Sequence, residues 1–77
     1  MNKQRRALLQ KVVEMMGDAR SLLEEIRDDE QDAFSNLPES IQESERGEQM
    51  EEYVYAMEEL IDNLEDGENN LTEIIEG

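Results

Sequence analysis

Carboxylates are the one reactive group this chain holds in quantity: 22 of its 77 residues are Asp or Glu, beside seven Lys or Arg and no His. With so many acids, short metal-binding spacings arise by chance, and each must be weighed against its neighbours. Asp62 to Glu73 matches the calcium loop of an EF-hand at Asp62, Asp66, Gly67 and Glu73. Its third position, where an oxygen ligand is needed, is Leu64, and Leu64 belongs to an apolar stripe. One segment cannot serve as both loop and stripe, so no calcium ligand is expected there. Glu25 with Asp28, and Glu59 with Asp62, are carboxylate pairs one helical turn apart. Such a pair chelates a hard cation only from a sheltered cleft. Both pairs lie off the apolar stripes, on surfaces that read as solvated, so no metal site is expected.

Covalent catalysis has less support still. There is no Cys or His, no Ser with a base placed by a recognisable motif, and no glycine-rich phosphate loop. The chain reads as a non-enzyme with no catalytic residue and no cofactor. Disulfides and zinc sites are excluded by the same absences. The side chains suited to phosphates are Lys3, Arg5, Arg6 and Lys11, which oligomerisation could gather into an anion-binding pocket. That is the small-molecule alternative: an oligomer that sequesters a signalling nucleotide.

Charge is unevenly spread. Residues 1–27 hold six of the seven basic residues and net +2, whereas residues 28–77 set eighteen acids against Arg46 alone, net −17. A polyanion is repelled by nucleic-acid backbones and anionic membranes, so the expected partner is a protein with a basic surface. No apolar run approaches the roughly 18 residues of a membrane span. Ala7-Leu8-Leu9 is cut short by Gln10 and Lys11 before any signal-peptide core develops, and the expected location is cytoplasmic.

The acidic row Glu48, Glu51, Glu52, Glu58, Glu59, Asp62, Glu65 and Asp66, with Tyr55 among it, is the candidate partner-binding face. A plain solvated helix face usually mixes Glu with Lys at i,i+4, gaining about 0.2–0.5 kcal/mol per pair. This row contains no Lys. The uncompensated repulsion favours a basic partner or mimicry of phosphate spacing, with Tyr55 as a candidate anchor.

These groups need elements to carry them. Leu8, Val12, Met15, Ala19, Leu22 and Ile26 step by 4, 3, 4, 3, 4, and Leu9, Val13, Met16 and Leu23 form a second row beside them. Met50, Tyr53, Met57, Leu60, Leu64, Gly67, Leu71 and Ile74 repeat the pattern, flanked by Val54, Ile61 and Ile75. The periodicity predicts an all-α antiparallel hairpin. Helix 1 is expected over about 4–34 and a corner over 35–44. Helix 2 should cover about 45–66, ending at Gly67 with Asn70 and Glu73 capping a last turn, or continue to 76. Pro38 disfavours helical backbone at Leu37. Asn36 with Glu39 resembles a capping box, Ser44 is a candidate N-cap, and Arg46 is placed to bridge Asp32, Glu39 or Glu43 across the corner. The first rows are expected to form the hairpin seam. A lone hairpin would leave part of Leu9, Val13, Met16, Leu23, Val54 and Ile61 wet, and they are expected to form an oligomer interface closing two hairpins into a four-helix bundle.

The block Asp29 to Glu48, with Asn36-Leu37-Pro38-Glu39 followed by Ile41-Gln42 and Ser44-Glu45-Arg46, resembles small uncharacterised acidic helical proteins of bacteriophages and prophages of Gram-positive hosts. The corner from Asn36 to Arg46 carries the specificity; the helices are generic. The resemblance implies a phage-like setting inside a bacterium and brings no activity with it. A protein-interaction module follows, such as an inhibitor that occupies the nucleic-acid-binding surface of a host or defence protein. An assembly role in the virion or replication machinery is the remaining alternative.

Overall fold

The computed structural model describes residues 1–77 as three helices: α1 (Lys3–Ser35), α2 (Glu39–Gln42) and α3 (Glu45–Glu76). Helix α1 starts where Asn2 Oδ1 accepts the Arg5 N–H at 2.8 Å, satisfying one orphan donor of the first turn. Straight-chain residues and Ala then carry it for 33 residues, about 50 Å. Pro38 has no N–H to offer a continuing helix, and the chain turns. Asn36 is the C-cap of α1, and Pro38 rather than Asn36 precedes α2, with no side-chain cap bond. The capping box is therefore not formed: Asn36 is still closing the previous helix through its own N–H to Asp32 O.

The corner is held by Gln42. Its Nε2 donates to Phe34 O and Leu37 O, both at 3.1 Å, so one amide ties the last turn of α1, whose Phe34 O also accepts the Leu37 N–H, to the residue before Pro38. Arg46 is exposed and makes no ion pair, so the expected arginine clasp is replaced by a neutral one. Ser44 is the N-cap of α3, but its Oγ donates backwards to Ile41 O instead of capping forwards. Gly47 is buried one turn later. A Cβ there would lie 2.6 Å from Ile41 O and closer still to Gln42 O, so only glycine lets α3 pass under the corner.

Helix α3 runs through Gly67 without interruption and ends at Glu76, where the Gly77 N–H bonds Glu73 O at 2.9 Å. The alternative ending at Gly67 is thereby corrected. Gly67 sits where α3 approaches Met16, and Gly17 faces Glu68, so packing rather than termination accounts for both glycines. Those neighbours, with Arg20 bonded to Glu68, fix the antiparallel register: residue 17 lies opposite residue 68. The hairpin measures 58 × 14 × 12 Å. Its radius of gyration is 17.3 Å, against about 11.5 Å for a compact domain of this length.

The seam differs from the sequence expectation. Val54 and Ile61, at 4% and 7% exposure, are the only buried apolar residues, and on α1 Leu9, Val13, Met16 and Leu23 are half-buried along the same seam. The residues expected to stay partly wet are thus the hairpin's own core. Leu8, Val12, Met15, Leu22, Ile26, Tyr53, Leu60 and Ile74, expected to form the seam, are exposed. Each helix carries two apolar rows one residue apart, and one residue is about 100° of rotation. Periodicity cannot choose between them. Gly47 beneath the corner and the Arg20–Glu68 pair set the azimuth: α1 turns its second row inward, while α3 buries Val54 and Ile61 with Met50, Met57, Leu64 and Leu71 of its first row half-buried beside them.

Candidate functional site: an acidic face and an acid-free face

Each helix turns an apolar face to the seam, on α3 made of Val54 and Ile61 with Met50, Met57, Leu64 and Leu71, and further rows lie on either side of it. On α3, stepping forward from Val54 and Ile61 reaches Glu48, Glu51, Tyr55, Glu58, Asp62 and Glu65. One more step outward reaches Glu52, Glu59 and Asp66. Glu58 is half-buried and the others are exposed. The structure therefore gathers all nine proposed partner-binding residues onto adjoining strips of one helix. Tyr55 stands at 67% exposure among them, and Gln31 of α1 joins Glu51, Val54, Tyr55 and Glu58 around a shallow notch.

Stepping backward from the seam of α3 reaches Arg46, Gln49, Tyr53, Ala56, Leu60, Asn63, Gly67, Asn70 and Ile74. Twelve of the 32 residues of α3 are acidic, and not one stands on this strip. In an antiparallel pair, a backward step on α1 turns toward the same side as a backward step on α3. Leu8, Val12, Met15, Ala19, Leu22 and Ile26 therefore lie next to that strip. The α1 row carries one acid, Asp29, beyond Ile26 near the corner; up to Ile26 the hairpin has an apolar face without acids, opposite a polyanionic one. The strip that lacks acids leaves its signal in the sequence as well, in the count of acids at each helical angle.

The helix dipoles sharpen the picture. The first turn of α1 has no acid and the last turn of α3 has no base, so charges there oppose the macrodipole at about 0.3–1 kcal/mol each. Antiparallel pairing sets the basic start of α1 beside the acidic end of α3, where each offsets the other. The one ion pair between the helices is Arg20 Nε to Glu68 Oε2 at 2.7 Å, with Arg20 also reaching Glu24 at 3.2 Å. The hydrogen bond that Arg20 donates to Glu68, then the charge of Glu68, raises the Arg20 guanidinium above its ordinary value, so Arg20 is a cation throughout.

Lys3, Arg5, Arg6 and Lys11 do not converge. At about 100° per residue they point in four directions around α1. Arg5 borders an apolar depression with Met1, Leu8, Leu9 and Val12, and the Arg6 Nε is covered without a hydrogen-bond partner. Glu25, Asp28, Glu59 and Asp62 are all exposed, and no three acidic side chains come close enough to share a metal ion. No helix is long and apolar enough to cross a membrane.

Comparison of the chain with protein-family models, curated proteins and solved structures returned no match.

Proposed function

We propose that this chain is a protein-interaction module that forms a dimer of hairpins and presents its acidic face to the basic surface of another protein. The supporting observation is the sorting of charge by helical face. Acids that merely kept the chain in solution would be distributed over every exposed strip of α3; here none stands on the strip from Arg46 to Ile74. The eight carboxylates of this face lie between Glu48 and Asp66, along about 27 Å of helix, one per roughly 3–4 Å. A single DNA strand carries one phosphate per about 3.4 Å of axis. A protein surface built to hold a nucleic-acid backbone would meet a similar line of charge on α3. The reading extends to a phage-type inhibitor of a host or defence protein, acting in the cytoplasm of a bacterium.

Competition is the direct test. A basic nucleic-acid-binding protein from a bacterial host, loaded with fluorescent duplex DNA, is titrated with the chain at several salt concentrations. Displacement at low salt that weakens steeply as salt rises supports the reading. The charge-neutralised variant Glu51→Gln/Glu58→Gln/Asp62→Asn should displace far less. Displacement unaffected by those substitutions, or binding indifferent to salt, would refute the acidic face as the contact.

A further inference from the structure

Only two apolar residues of the hairpin are buried, and its acid-free face leaves Met15 at 69% exposure with Leu8, Leu22 and Leu60 all above half. A rod of this shape cannot fold over to cover that face itself. The whole side of the rod, 58 × 14 Å, projects about 800 Å², an upper bound on this face that reaches what each partner contributes to a standard stable interface. A basic partner gains nothing from a strip without acids, whereas a second copy is present wherever the chain is made and brings an equally apolar face.

We propose that this face buries against the same face of a second copy, with the two hairpins laid end-opposed so that α1 crosses α1 near Ala19. The proposal deepens the dimer part of the reading above and is independent of the identity of any basic partner.

Three features carry it. The α1 row is close to palindromic about Ala19, so an antiparallel copy sets Val12 over Ile26 and Met15 near Leu22, with the smallest side chain on the two-fold axis. Charge decides the direction. The open half of the hairpin, residues 1–20 and 64–77, has five bases and seven acids, net −2; the corner half, residues 21–63, has two and fifteen, net −13. Stacking like ends brings −13 against −13, while opposing them brings −13 against −2, which lowers the repulsion. At the rim, the opposed arrangement also sets Lys11 against Glu25 of the other copy. The α3 rims remain acid against acid, so the dimer should tighten as salt rises, opposite to binding of a basic partner.

The chain has no cysteine, so single replacements on the rim report the geometry cleanly. Asp18→Cys and Asp66→Cys chains are each treated with a short bismaleimide, alone and mixed. In the end-opposed dimer each variant cross-links to its own copy. In a like-ended dimer only the mixture cross-links, which would overturn the proposal. Sedimentation of the untreated chain should show a dimer, and Leu22→Glu should weaken it roughly 100-fold or more, whereas Glu58→Gln on the opposite face should not. A helical monomer at all concentrations, or a dimer indifferent to Leu22→Glu, would also overturn it. If Leu22→Glu does not fold, the cross-linking pattern of the intact-faced chains still decides. No partner protein enters these measurements, so they can fail while the acidic-face competition succeeds, and the reverse.

Discussion

Leu60 and Ile61 are neighbours of similar size, and replacing each by Ala tests the seam directly. Ile61 is 7% exposed and Leu60 53% exposed in the hairpin. Truncating a buried Ile costs about 2–5 kcal/mol through lost transfer energy and residual cavity. A thin two-helix layer can partly collapse, so about 3 kcal/mol is expected for Ile61→Ala, less about 0.4 kcal/mol from the better helix propensity of Ala. Full burial of a Leu is worth about 1.5–3 kcal/mol, so a half-covered Leu60 should cost about 1 kcal/mol. A domain of this size has about 4–12 kcal/mol in total, which makes the first loss severe. At about 4–8 °C per kcal/mol, Ile61→Ala should lower Tm by about 10–20 °C and Leu60→Ala by about 4–8 °C. The assay is thermal and urea unfolding by circular dichroism at a concentration where sedimentation shows monomer. Equal losses, or a larger one for Leu60→Ala, would show that the helices meet along the other row. Repeating the melts at higher concentration should narrow the gap, because the proposed dimer covers Leu60.

Gly47→Ala should destabilise by about 1–3 kcal/mol, although Gly→Ala inside a helix ordinarily gains about 1 kcal/mol, because the new Cβ overlaps the Gln42 backbone. Gly67→Ala is expected near neutral in the same melts, since its Cβ would meet only the flexible end of Met16. Gln42→Ala should cost about 1–2 kcal/mol and speed amide exchange at the end of α1, because the Leu37 carbonyl loses its side-chain donor and the Phe34 carbonyl keeps only the Leu37 N–H. The Arg20 guanidinium is raised, so its pair stabilises at every pH below the ordinary value and is lost only as pH climbs through the raised one. The Tm difference between the native chain and Arg20→Met should therefore stay constant from about pH 7 to pH 10, whereas for Arg20→Lys it should grow near about pH 10 as the amine titrates.

The two-helix architecture was legible because hydrophobic periodicity over thirty residues has few other solutions, and because Pro38 permits only a break. The strip of acids was legible for the same reason: helical angle follows from residue number. The azimuth of each helix was not legible, since Leu60 and Ile61, or Leu22 and Leu23, are equally apolar neighbours. Tertiary structure decided between them through Gly47, which lets α3 pass close under the corner, and through Arg20 with Glu68, which meet in one rotation only. Gln42 as the corner clasp was equally hidden, because its amide serves carbonyls five and eight residues back that a linear pattern does not bring together. Sequence alone determined that this protein would be a helical hairpin with an excess of negative charge, because periodicity and charge are local. Which apolar row it buries, and hence which face it shows to others, depended on contacts between residues far apart in the chain.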